Sequence, residues 1–103
     1  MKTGIELIAE ERQEQIEKHR RTIEQDVKEN SHYQLSTAAG MLCWVDEEDF
    51  GDDSNGFCPV GWDSDIWNHM IGKSYKERLI IAGALIAAEI DRLQRISAPP
   101  ATP

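Results

Sequence analysis

Residues Leu79 to Leu93 read LIIAGALIAAEIDRL. The first ten of them, Leu79 through Ala88, carry no charge, in a chain of which 29% is charged. A surface helix shows one apolar stripe, whereas a helix that is apolar nearly all round is buried on most sides. Ala82, Gly83, Ala84, Ala87 and Ala88 would let neighbouring backbones come close. The start is marked by Ser74-Tyr75-Lys76-Glu77, a capping box in which Ser74 accepts from first-turn amides and Glu77 reaches back. The run is too short for a membrane span, which needs about 20 apolar residues. It predicts the central helix of a small soluble bundle.

Working outward, Thr3-Gly4-Ile5-Glu6 is a second capping-box match and starts a first helix near Gly4. Ile5, Ile8, Ala9, Arg12 and Ile16 recur at helical spacing as its inner face, and Ile23 and Val27 continue the period. The stretch Lys18 to Thr22 is polar and basic, so the helix either breaks near His19 or runs on; the expectation is one long helix with a weak second half, ending by Asn30. Ser31-His32-Tyr33-Gln34 is a third capping-box match, opening a helix whose inward face is Leu35, Ala38, Ala39 and Leu42, closing around Val45. Residues 46–56 form an acidic, turn-rich loop with no apolar period. After the apolar cluster Phe57, Pro59, Val60 and Trp62, Asp63 and Ser64 can cap a short helix carrying Ile66, Trp67 and Met70 and stopping near Gly72. The class is all-α: a small helical bundle with an acidic irregular loop and a long apolar C-terminal helix. The expected organisation is a single helical domain over residues 1–96 and a disordered, proline-rich tail over 97–103.

The 103 residues suit one small domain. A net charge of −8 argues against a nucleic-acid polymer as partner, which calls for a basic surface. It leaves open a nucleotide held through a divalent cation, because carboxylates suit hard cations. Cys43 and Cys58 are too few for a disulfide framework, and no signal peptide is recognisable, so the expected compartment is the cytoplasm.

Three constellations could carry chemistry. Glu10, Glu11 and Glu14 fall within two turns of the first helix, where like charges repel unless a cation offsets them. A solvated helix face is the alternative reading. Glu89, directly after the apolar run, is either a metal ligand or half of a core-edge salt bridge with an inward cation such as Arg12, Arg92 being too local to count. The acidic loop does not fit an EF-hand: with Gly56 at the sixth position, Gly51 and Trp62 fall on the two anchor positions. His19, His32 and His69 lack zinc spacing. Trp44, Trp62 and Trp67 read mainly as core, with one of them able to stack on a base or a partner.

With these residues in view, the chain resembles small bacteriophage and prophage proteins called MazG-like, after the all-α nucleoside triphosphate pyrophosphohydrolases. The resemblance rests on residues 4–13, GIELIAEERQ, on 76–93 with its Ala-Gly-Ala-Leu-Ile-x-Ala-Glu-Ile core, and on the tryptophan segment 61–67. That is about half the chain. The family's enzymes hold magnesium with a Glu-Glu-x-x-Glu motif and a Glu-x-x-Asp motif on the next helix, and release pyrophosphate. Glu10, Glu11 and Glu14 reproduce the first motif, so the resemblance implies that they are catalytic and bind magnesium. At the second, where the family carries Gly-Glu-Leu, this chain reads Tyr33-Gln34-Leu35. A neutral amide coordinates magnesium more weakly than a carboxylate.

The expected site takes Glu10, Glu11, Glu14 and Glu89 for the metal, with Arg12, Gln34, Trp62, Trp67 and Lys76 contacting the ligand. The expected function is binding of a nucleotide or nucleotide-like molecule, with magnesium-dependent pyrophosphohydrolysis weakened by the missing motif. The alternative is a non-catalytic phage protein that sequesters a nucleotide immune signal or blocks a host defence protein, in the cytoplasm of an infected or lysogenic bacterium. A third reading is an interaction module with no small ligand. The apolar central helix further predicts a homo-oligomer, a dimer, with Gly83 and its alanines at the interface.

Overall fold

The computed structural model describes residues 1–19, 22–44 and 58–97, with the side chains of His19 and Ser97 excepted. They form five helices: α1 (Gly4–His19), α2 (Ile23–Glu29), α3 (Gln34–Leu42), α4 (Ser64–Ile71) and α5 (Tyr75–Ser97). There is no strand among the described residues, and the protein is a small all-α bundle. Val45, the acidic loop at 46–56, Phe57 and the tail at 98–103 lie outside the described residues. No helix among those described is long and apolar enough to cross a membrane.

The central helix is where the sequence puts it. Each of α1, α2, α3 and α4 packs on α5, α3 most extensively. The core joins Leu35, Ala38, Ala39 and Leu42 of α3 to Trp67, Met70 and Ile71 of α4 and to Ile81, Ala82, Leu85 and Ala88 of α5. The Ser74–Glu77 cap forms, with the Glu77 amide donating to Ser74 Oγ at 3.3 Å and the Ser74 hydroxyl to Glu77 Oε1 at 3.1 Å. At α1 the capping box is reciprocal: Thr3 N–H donates to Glu6 Oε1 at 2.9 Å, and Glu6 N–H to Thr3 Oγ1 at 3.2 Å. These two bonds hold the Glu6 carboxyl below its ordinary pKa. Asp63 caps α4 as its sequence position suggests.

Four expectations need correction. The first helix is not continuous. Thr22 is extended and caps a separate α2 by accepting from the Gln25 amide at 3.2 Å, a side-chain bond that competes with helix continuation. The third capping box does not form: Tyr33 precedes α3 in a left-handed conformation (φ 64°), and Gln34 Oε1 accepts from the His32 amide instead. The inner face of α1 holds only in part: Arg12 is buried and Ile8 and Ile16 half-buried as expected, but Ile5 and Ala9 are exposed and Gln15 is buried. Its anchor is Ile8 against Gly83, where an added Cβ would meet Ile8 Cδ1 at 2.6 Å. Gly83 therefore serves the α1–α5 contact within the chain. Lastly, α5 is not covered all round; Leu79, Ile86, Ile90 and Leu93 stay exposed.

Candidate functional site

A cavity of about 290 Å³ opens where α1, α4 and α5 meet. From α1 come Glu11, Glu14 and Gln15; from α4, His69 and Met70; from the turn before α5, Lys73. Met70 and Ile81 are core residues that give it an apolar floor. Spacings of three and four residues bring Glu11, Glu14 and Gln15 to one side of α1. Glu14 lies 3.7 Å from Lys18, and Lys73 lies 3.8 Å from Glu77, both part-exposed pairs that solvent screens. Gln15 is 3% exposed. Its Nε2 donates to Glu11 Oε2 at 3.3 Å, while its buried Oε1 has no hydrogen-bond partner among the described residues. A buried acceptor left unpaired costs about 1–3 kcal/mol, which an entering donor or cation would recover.

The other sequence candidates are elsewhere. Glu10 is on the outer side of α1, in an ion pair with Lys2. Glu89 is buried and pairs with Arg92 of its own helix, whose Nε donates at 2.5 Å and Nη2 at 3.1 Å. The pair with Arg92, expected to be too local to count, is the one that forms, while the expected cross-helix partner, Arg12, lies 3.6 Å from Asp91. Lys76 lines a separate apolar groove beside Gly4, Leu7 and Ile8. Trp67 is wholly enclosed by the core, with its ring edge-on to Trp62 at 6.2 Å.

Gln34 is committed to the fold. It is 5% exposed and its Nε2 donates to the Glu29 carbonyl at 3.2 Å and the Val60 carbonyl at 3.3 Å. Only an amide can accept from one backbone and donate to two others here; a carboxylate would face both carbonyl oxygens. The departure from the acidic motif is thus matched by a structural role.

Next to Gln34 lies a buried polar network. Asp26 is fully buried and accepts from Asn30 Nδ2 at 2.7 Å, and Asn30 Oδ1 accepts from Trp62 Nε1 at 2.7 Å. Arg92 has its pKa raised above the ordinary value, foremost by its hydrogen bond to Glu89, with the charges of Glu89, Tyr33 and Asp26 adding to it. Arg78 is equally buried at the opposite end of α5, donating through Nη1 to the Leu42 carbonyl at 3.3 Å and the Trp44 carbonyl at 2.7 Å.

Gln15, Lys73, Asp26, Asn30 and Arg78 were not candidates in the sequence reading, and His69 was considered there only as a zinc ligand and set aside. Gln15 had a usable signal, lying four residues after Glu11 and three after Arg12 on one side of a helix. His69 and Lys73 had none, because the α4–α5 turn that aims them is a tertiary feature. No family model, curated protein or solved structure matches the chain.

Proposed function

We propose that this is a MazG-like helical protein that binds a nucleotide, as its magnesium complex, in the cavity between α1, α4 and α5. The observation that supports the reading is that Glu11 and Glu14, two of the three carboxylates of the Glu-Glu-x-x-Glu motif, line one cavity. Magnesium is usually held by one or two carboxylates, with waters and substrate phosphates completing its octahedron. That donor set fits a pair. Among the described residues no three His, Cys, Asp or Glu side chains are grouped so as to hold a metal ion, and the proposed cation is one that arrives with the nucleotide. When bound, it would neutralise phosphate charge and polarise the phosphoryl group. On the protein's side, Glu11 and Glu14 bind and orient the complex, Lys73 adds a positive charge for a phosphate, and Gln15 Oε1 accepts an N–H of the ligand.

Turnover is expected to be weak. Glu10 engages Lys2, Glu89 engages Arg92, and Gln34 donates to two carbonyls, so none of them completes a second set of acidic ligands. The same observation favours a second reading, in which a phage protein of this kind retains a nucleotide signal, or blocks a host defence protein, without hydrolysing anything. Thermal shift with deoxynucleoside triphosphates and with cyclic and linear oligonucleotide signals, each with and without magnesium, separates the readings. A magnesium-dependent shift supports the first, and a metal-independent shift the second. No shift with any of them would defeat nucleotide binding altogether.

A further inference from the structure

We infer that the cavity between α1, α4 and α5 also takes a primary aliphatic amine, bound as its ammonium, in place of the magnesium nucleotide. The inference goes beyond the nucleotide reading and stands without it. A second hollow of about 100 Å³ shares Glu11, Lys73 and Ile81 with the cavity and adds Glu77 and Ile80. The two are lined by three carboxylates, Glu11, Glu14 and Glu77, and by one ammonium, Lys73. Lys18, which does not line them, lies 3.7 Å from Glu14 and offsets part of its charge. An excess of negative charge remains, in a chain whose net charge is −8. By itself that excess would draw any cation, and weakly, because solvent screens it.

Gln15 narrows the choice. Its side chain lines the cavity and is 3% exposed, and its Oε1 has no hydrogen-bond partner among the described residues. The amide is not free to present its other end. Its Nε2 donates to Glu11 Oε2 at 3.3 Å, and a reversed amide would set oxygen against oxygen there. What the site lacks is therefore a hydrogen-bond donor, and beside carboxylates a charged donor is the stronger one. A primary ammonium carries three N–H groups and a positive charge on one atom. One N–H answers Gln15 Oε1, and the charge answers Glu11 and Glu14. The alkyl chain then lies along Met70 and Ile81, core residues that floor the cavity. A quaternary ammonium has the charge without the donor, and an alcohol has the donor without the charge.

Calorimetric titration of the full chain with butylamine, butyltrimethylammonium and 1-butanol, at one ionic strength and without magnesium or nucleotide, separates these requirements. Butylamine is expected to bind at least about tenfold more tightly than either of the others. Gln15→Met keeps the length of the side chain and removes the acceptor. It is expected to fold with thermal stability no lower than wild type and to lose butylamine affinity about tenfold. Lys73→Met takes a like charge from the lining and is expected to tighten butylamine about twofold, whereas it weakens any magnesium nucleotide. Equal binding of butylamine and butyltrimethylammonium means counter-ion attraction only, and overturns the inference. So does unchanged butylamine affinity in Gln15→Met, or no heat from butylamine with wild type. Amine binding by a protein that takes up no nucleotide upholds the inference and defeats the nucleotide reading alone. Nucleotide binding without amine binding does the reverse.

Discussion

Two polar clusters flank α5, and they differ in what they face. The cluster of Asp26, Asn30, Gln34, Trp62, Glu89 and Arg92 is packed inside the fold: amides, indole and guanidinium each donate to a partner in the chain at 2.5–3.3 Å. The cluster of Glu11, Glu14, Gln15, His69 and Lys73 borders a cavity, and it includes a buried acceptor with no partner among the described residues. Both are rich in carboxylates and amides, so residue type alone does not tell them apart. What separates a structural network from a candidate binding site here is access: the first packs among helices, and the second lines a cavity that a ligand can enter. Buried polar groups paired inside the chain rigidify a core.

The comparison is broken most severely by Arg92→Ala. It leaves Glu89 buried without its cation, and removing one partner of a buried pair costs about 3–5 kcal/mol. Urea denaturation should show this loss. A loss under about 1 kcal/mol would mean that the buried cluster is not a structural unit.

Gln34→Glu sharpens the same point with a smaller change. Replacing a two-carbonyl donor by a carboxylate should destabilise the protein by about 1–3 kcal/mol. It should also bring no gain in hydrolysis of deoxynucleoside triphosphates, measured as pyrophosphate release. A rise in turnover would show that position 34 belongs to a metal site after all.

The smallest effect is at the exposed start of α1. Glu6 has its pKa lowered from 4.5 by the Thr3 backbone and hydroxyl bonds. Its contribution is therefore fully present above the unfolded carboxylate value and is lost as pH falls through the folded one. Backbone chemical shifts of residues 4–7 should move towards coil below about pH 4 while those of α5 hold. Glu6→Gln should remove that pH dependence.

The reach of the sequence follows the same division. The α5 run, two of the capping boxes and the inward face of α3 were legible, because apolar period and cap residues act locally. A break near His19 was signalled by the polar stretch Lys18 to Thr22 but outweighed by an apolar period that runs on through Ile23 and Val27, since a cap hydroxyl leaves no mark on periodicity. Gln34 read as a degraded metal ligand because its two acceptors, Glu29 and Val60, lie 5 and 26 residues away. The acidic triad was legible as a motif. That Glu11 and Glu14 border a cavity while Glu10 faces outward depends on how α1 rolls against Gly83, which only packing decides.

The central claim is that the open cluster binds a nucleotide through Glu11 and Glu14. Calorimetric titration of magnesium with each of the four deoxynucleoside triphosphates, into wild type and into a Glu11→Gln/Glu14→Gln variant of unchanged thermal stability, tests it most directly. The account predicts magnesium-dependent binding by wild type, weakened at least about tenfold, or about 1.4 kcal/mol, in the variant. Binding of equal strength by both proteins, or no heat from wild type with any of the four, would contradict it.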